Sequence, residues 1–223
     1  MFQVRIHGRG GQGVVTGAEM LSIAAFLGGR HAQAFPSFGS ERTGAPVVAF
    51  CRLDDREIRL REPIMQPDAL IIQDPTLLHQ VDVFSGLKKD GYILINTTRT
   101  FAELGLADFA SGFRPERLLT VPATELAMKH VGRPVPNVPL LGAFAALGGL
   151  ISLDAVQAAI RQKFQGKVAQ GNMDAAREAY DIVMEQEKKA EIDAAQGRPR
   201  QDTAPVGRSE VRAATNVGGN QHA

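Results

Sequence analysis

Val4-Arg5-Ile6-His7-Gly8-Arg9-Gly10-Gly11-Gln12-Gly13 stands almost at the start of the chain, a short β-type run leading into three glycines spaced G-x-G-x-x-G. A helical pattern follows from about Val14 to Leu27. Strand, glycine turn, helix is the order that lets a backbone loop cradle a phosphate. The glycines bring N–H groups close to a ligand, and the helix behind them adds unpaired N–H groups and the positive end of its dipole. The same spacing also serves to pack a helix tightly on a sheet, so the motif says where to look rather than what is bound. An NAD site would want an acidic residue about 20 residues further on to hold the ribose. Between Glu19 and Glu41 there is no Asp or Glu. The window instead offers Arg30 and His31, which suit an NADP-like or coenzyme A-like phosphate.

Downstream, Gln33 to Pro46 holds two prolines, two glycines and the adjacent pair Glu41-Arg42, and reads as a shaped loop. In it Arg42 could clamp a carboxylate or phosphate, with Ser40 and Thr43 as hydrogen-bond donors; the alternative is a solvated surface loop. Residues 47–53 and 57–61 read as a hairpin around Asp54-Asp55-Arg56. Leu70-Ile71-Ile72 and Ile93-Leu94-Ile95 are all-apolar runs typical of strands buried on both faces, with a weaker strand over 117–122. Helix-like spacing lies between them from Thr76 to Leu87. Strands separated by helical stretches predict an α/β fold with a mainly parallel sheet and a Rossmann-like glycine loop after the first strand. From Ala123 the pattern turns helical. Thr124 is a candidate cap for a helix to about Val131, the Pro134, Pro136 and Pro139 span breaks it, and a Gly/Ala-rich helix over about 140–150 follows. The next helix has its apolar face at Leu153, Val156, Ile160 and Phe164, and a last one begins after Asn172. One domain over 1–187 is expected, with a tail over 188–223 too poor in large apolar side chains to order alone.

In a parallel sheet the Gly8–Gly13 loop, Asp74 and Asn96 fall on the same rim, outside the strand C-termini, where ligands bind in such folds. Capping or turn formation is the commoner role for Asp74 and Asn96, and for Asn137 between its prolines.

With 223 residues and 44% hydrophobic content the chain can build a real core. A net charge of +1 gives no bulk electrostatic case for nucleic acid or an anionic membrane. The strand pattern begins too early to leave room for a signal peptide, and Val138–Ile151 is too short to span a bilayer. The expectation is a cytoplasmic protein without nucleic-acid or membrane partners. The single cysteine, Cys51, lies in an apolar run and reads as a buried structural thiol; alone it can neither close a disulfide nor hold an iron–sulfur cluster. The five histidines show no metal-ligand spacing, and no Ser-His-Asp or paired-carboxylate set stands out. A nucleotide-type loop without catalytic groups points to a chain that contributes one wall of a shared site.

Gly8-Arg9-Gly10-Gly11-Gln12-Gly13 and Phe35-Pro36-Ser37-Phe38-Gly39-Ser40-Glu41-Arg42-Thr43-Gly44-Ala45-Pro46-Val47 resemble the gamma subunit, or gamma domain, of the 2-oxoacid:acceptor oxidoreductases, the pyruvate synthases among them. Gly91-Tyr92-Ile93-Leu94-Ile95-Asn96 and Val135-Pro136-Asn137-Val138-Pro139-Leu140-Leu141-Gly142-Ala143 are similar to later segments of that family. The resemblance departs at Thr43, where many members carry a second arginine. It implies a complex that decarboxylates a 2-oxoacid on thiamine diphosphate with Mg, pyruvate first, with 2-oxoglutarate or an aromatic 2-oxoacid such as phenylglyoxylate as alternatives. The acyl group passes to coenzyme A and the electrons to 4Fe-4S clusters. It further implies alpha, beta and ferredoxin-like delta partner subunits. Ferredoxin is the acceptor, or NAD where a flavoprotein subunit with FAD is added. The gamma chain itself would hold no catalytic group and no metal. Its expected contacts to the coenzyme A site are Gly8, Arg9, Gly10, Gly11, Gln12, Gly13, Ser40, Arg42, Asn96 and Asn137. The alternative from another class is a stand-alone NADP- or nucleotide-binding domain with a regulatory or reductase role.

Overall fold

In the computed structural model, residues 1–37, 43–147 and 149–195 are described. Six strands form one sheet in the order β2-β3-β1-β4-β5-β6: β1 (Phe2–Arg9), β2 (His31–Pro36), β3 (Pro46–Asp54), β4 (Ala69–Ile72), β5 (Tyr92–Asn96) and β6 (Leu118–Val121). The pairs β1–β4, β4–β5 and β5–β6 are parallel, and β3 runs antiparallel to both β1 and β2. The apolar runs behave as their composition requires: every residue of β4 is buried, and so is every residue of β5 after Tyr92.

Alternation along the strands divides the interior into two layers. Val4 and Ile6 of β1, Ile71 of β4 and Leu94 of β5 face the larger one. It is roofed by α1 (Val14–Leu27), α3 (Ala123–Val131), α4 (Asn137–Ala146), α5 (Leu153–Lys163) and α6 (Gly166–Ala195). Ile72, Ile93 and Ile95 face the smaller layer, closed by Leu77, Val83, Phe101 and Leu104 from the connections and by the short α2 (Ala107–Ala110). Cys51 is buried in the larger layer, where burial pushes its thiol up and leaves it inert.

Several local expectations change in context. Residues 33–36 are strand rather than loop: β2 pairs with β3 from His31 opposite Asp54 to Pro36 opposite Ala49. That pairing is also why 57–61 forms no hairpin with β3. Both sides of β3 are already taken, and the Arg52 guanidinium draws in the carbonyls of Leu60 (3.5 Å) and Glu62 (2.5 Å). The Thr76–Leu87 spacing gives only a 3₁₀ turn over Pro75–His79, because buried Arg5 takes the Val83 (3.0 Å) and Ser85 (2.6 Å) carbonyls for itself. α3 has Pro122 at its cap position, so Thr124 lies inside the helix instead of capping it. α4 starts at Asn137 and tolerates Pro139 in its first turn, where the missing N–H would be unpaired anyway. α6 starts at Gly166, before Asn172, and continues to Ala195, so the expected domain edge at 187 falls within a helix.

Candidate functional site

β1 carries the chain up through Gly8, still paired in the sheet with Val47, and Arg9 to the rim. The loop then turns through Gly11 and Gly13, and α1 departs at Val14. Gly13 occupies the cap position with φ +71°, a left-handed conformation that costs an L side chain energy. A β-carbon there would also stand 2.5 Å from the Asn137 side-chain nitrogen. The loop is stitched to the residues before β3: Gly10 N donates to Ala45 O (2.9 Å), and Gly44 N donates to Gly10 O (3.0 Å). Gln12 N donates back to Arg9 O (3.0 Å). The first α1 amide with a helical acceptor is that of Gly17, bonded to Gly13 O at 2.8 Å, and no side chain caps the helix. Among the described residues this leaves the amides of Gly11, Gly13, Val14, Val15 and Thr16 as the loop's unengaged donors. No acidic residue lies in the first turn of α1 to oppose an anion.

Asp74, one turn beyond β4, organises the side chains around this loop. Its Oδ2 accepts from Arg9 Nε (3.0 Å) and Gln12 Nε2 (2.9 Å), and its Oδ1 from Thr76 N (3.0 Å) and Thr76 Oγ1 (2.6 Å). Burial raises the carboxyl pKa, but the Thr76 and Gln12 hydrogen bonds and the Arg9 charge outweigh it and hold it below the ordinary range. Gln12 closes the circuit by accepting Arg9 N at 2.8 Å. Arg9 and Gln12 therefore spend most of their donors on protein acceptors, while Arg9 also borders a cleft.

Asn96 and Asn137, both buried, serve different parts of the rim. Asn96 donates to Gln73 O and Thr124 Oγ1 (both 2.8 Å) and accepts from Thr124 N (3.0 Å), which makes it a cap for α3 supplied from β5. It belongs to the frame. Asn137 touches the loop, donating to Gly13 O at 3.2 Å. Ser40 and Arg42 lie outside the described residues. Arg30 follows the C-terminal end of α1, the end opposite the glycine loop, where it pairs with Asp55 at 3.6 Å. His7, on the inner face of β1, is a neutral imidazole: burial and the neighbouring Arg5 push its pKa down to about 3, and its Nε2 accepts from Arg5 Nε at 3.0 Å.

Two clefts flank the loop. One, of about 310 Å³, is lined by Arg9, Gly10, Gly11, Val14, Val15 and Val47 among others. The second, of about 240 Å³, runs from Gly11, Gly13 and Thr16 along Arg133 and Asn137 to an apolar wall of Val131, Val135, Phe164 and Val168. Gly11, Gly13 and Thr16 border both. Arg133 makes no ion pair among the described residues, so it is a cation available beside unengaged amides. Thr16 follows the loop directly in the first turn of α1, whereas Arg133 does not stand out in the sequence and is brought to the loop only by the fold. Among the described residues no group of three or more His, Cys, Asp or Glu could hold a metal ion, and no helix is long and apolar enough to cross a membrane.

Residues 3–182 match the family model described as pyruvate ferredoxin/flavodoxin oxidoreductase. The chain is 46% identical over 181 residues to the pyruvate synthase subunit PorC of Methanothermobacter marburgensis, covering 81% of this chain and 97% of that one. It is 44% identical over 181 residues to the pyruvate/ketoisovalerate oxidoreductases common subunit gamma of Pyrococcus abyssi, covering 81% and 96%. Among solved structures, the pyruvate oxidoreductase subunit PORC of Thermotoga maritima superposes with a TM-score of 0.67 at 33% identity, over 81% of this chain and 95% of that one.

Proposed function

This chain belongs to the pyruvate ferredoxin/flavodoxin oxidoreductase family, and we propose that it serves as the gamma subunit of a pyruvate synthase-type complex. The observation that carries this reading is the match over nearly the full length of gamma subunits at 44–46% identity. In that complex the 2-oxoacid chemistry belongs to partner chains. Thiamine diphosphate with Mg supplies decarboxylation, iron–sulfur clusters take the electrons, and alpha, beta and ferredoxin-like delta subunits hold them. The single cysteine of this chain, fully buried, cannot anchor an iron–sulfur cluster.

The glycine loop does fit coenzyme A phosphates. Unengaged amides at Gly11, Gly13 and the first turn of α1, with Arg133 beside them, make a concave, electropositive corner. Such a wall binds and orients a phosphate-bearing thiol while the reacting centre sits on another subunit. From the sequence, Ser40 and Arg42 add to it. The alternative of a stand-alone NADP domain gains nothing from the fold: β3, antiparallel, separates β2 from β1, and Arg30 sits at the far end of α1.

Native purification of the chain with its partners, followed by mass spectrometry and cofactor analysis, tests the proposal. A brown complex containing thiamine diphosphate and iron–sulfur subunits, and forming acyl-coenzyme A from pyruvate, is the expected result. A lone, colourless chain that binds NADP would overturn it. Within the complex, Arg133→Ala and Arg42→Ala should each raise the KM for coenzyme A.

A further inference from the structure

We infer that Arg9 and Asp74 are positioning residues, which fix the glycine loop against the segment entering β3 and touch no ligand themselves. This rests on the proposed role of the loop as the anion-facing wall of a coenzyme A site. Arg9 looks in the sequence like a phosphate contact, yet most of its guanidinium donors are directed at protein acceptors. Nε bonds Asp74, Nη1 bonds Gly44 O at 3.0 Å, and Nη2 bonds Thr76 Oγ1 and Gln80 Oε1, both at 2.7 Å. These bonds occupy four of the five N–H donors an arginine has. They join three stretches of chain: the end of β1, the approach to β3 and the turn after β4.

The shape of the loop follows from this fork. Asp74 also holds Gln12, whose carbonyl oxygen holds the Arg9 amide, and Gly10 is bonded at both its N–H and its C=O to residues 44 and 45. The unengaged amides of Gly11 and Gly13 are thus aimed by a ring of bonds whose hub is one carboxylate. The ion pair is partly buried, with side-chain exposures of 21% for Arg9 and 13% for Asp74, while the bonds to Gly44, Thr76 and Gln80 lie at the surface.

The assembled complex carrying variant gamma chains tests this. An arginine that supplies only its charge to a phosphate would keep much of its function as lysine. A fork that must meet four acceptors would not, because an ammonium presents a point charge without the planar geometry. Arg9→Lys and Arg9→Ala should therefore raise the KM for coenzyme A alike, by about tenfold each, and Asp74→Asn should do the same. The double variant Arg9→Ala/Asp74→Asn should be within about twofold of either single one, as expected for residues acting as one unit. Independently of coenzyme A, hydrogen exchange at Gly10–Gly13 and at Gly44–Ala45 should accelerate together in Asp74→Asn. If that variant does not assemble, Gln12→Met removes one link of the ring and is read by the same exchange.

Arg9→Lys at the wild-type KM with Arg9→Ala impaired would overturn the inference in favour of direct contact. Unchanged exchange in Asp74→Asn, or in Gln12→Met where that variant stands in for it, would overturn it whatever the KM does. Accelerated exchange with a flat KM in every variant would uphold the positioning role and remove the coenzyme A reading instead.

Discussion

Gly142 of α4 lies directly against the backbone of Ala176 on α6: a β-carbon at Gly142 would run into the Ala176 carbonyl oxygen. All ten residues of α4 are buried, and Ala176 and Ala179 of α6 are buried against it. Small residues let the two helices approach at backbone distance. The expected outcome of Gly142→Ala is a loss of about 3 kcal/mol or more, because backbone cannot yield as a side chain can. Urea unfolding would show it, and a variant with the wild-type midpoint would mean that α4 and α6 are not so closely seated.

Gly13→Ala tests the loop from a different side. It combines a left-handed φ with an encroachment on the Asn137 side chain. A cost of about 2 kcal/mol is expected, together with a weaker response to coenzyme A. Gly13→Ala/Asn137→Ala should recover part of the stability, since trimming Asn137 removes the encroachment but not the backbone strain. Full recovery would show that φ at residue 13 matters little.

Asn96→Ala should destabilise the chain by about 2–3 kcal/mol, as it orphans the Gln73 carbonyl and the Thr124 amide at once. Thermal unfolding of the variant, with loss of helical signal around α3, checks this. A change below about 0.5 kcal/mol would argue against the tertiary cap.

The pH dependence should carry a signature of His7. In the folded chain its pKa is pushed down from 6.5 to about 3, by burial and by Arg5. Between those values the unfolded chain binds a proton that the folded one refuses, so stability falls as pH drops from about 6.5 toward 3, by at most about 1.4 kcal/mol per pH unit. His7→Gln keeps an acceptor for Arg5 and does not titrate. Urea midpoints of wild type and variant, measured from pH 7 to pH 4, should therefore diverge in favour of the variant. Parallel profiles would mean that His7 is protonated or exposed.

The parts of this molecule written locally were legible before the fold was. The glycine turn after β1, the apolar runs of β4 and β5, and the 153–160 helix face each have one dominant local cause. What local reading could not supply are arrangements decided by distant side chains. Arg52 and Arg5 capture carbonyls from 60–62 and 83–85, and so deny those segments the strand and helix their spacing suggests. β2 is strand because β3 offers it an edge, not because of its own sequence. In the site, the resemblance grouped Asn137 with the loop but only the fold shows its bond to Gly13 O, and the Asn96 amide is engaged by Gln73 and Thr124. Asp74 showed its capping chemistry in the sequence, but not that Arg9 and Gln12 would converge on it.

That convergence has a consequence for how the chain is made. β1 is synthesised first and lies in the middle of the sheet, between strands that begin at Pro46 and Ala69. Until β4 has left the ribosome one side of β1 has no neighbour, and until Asp74 follows it the glycine turn lacks the carboxylate that shapes it. Long-range pairings of this kind form late and slowly. Nascent chains cut short before about residue 75 should accordingly carry a glycine turn that has not yet taken its final form.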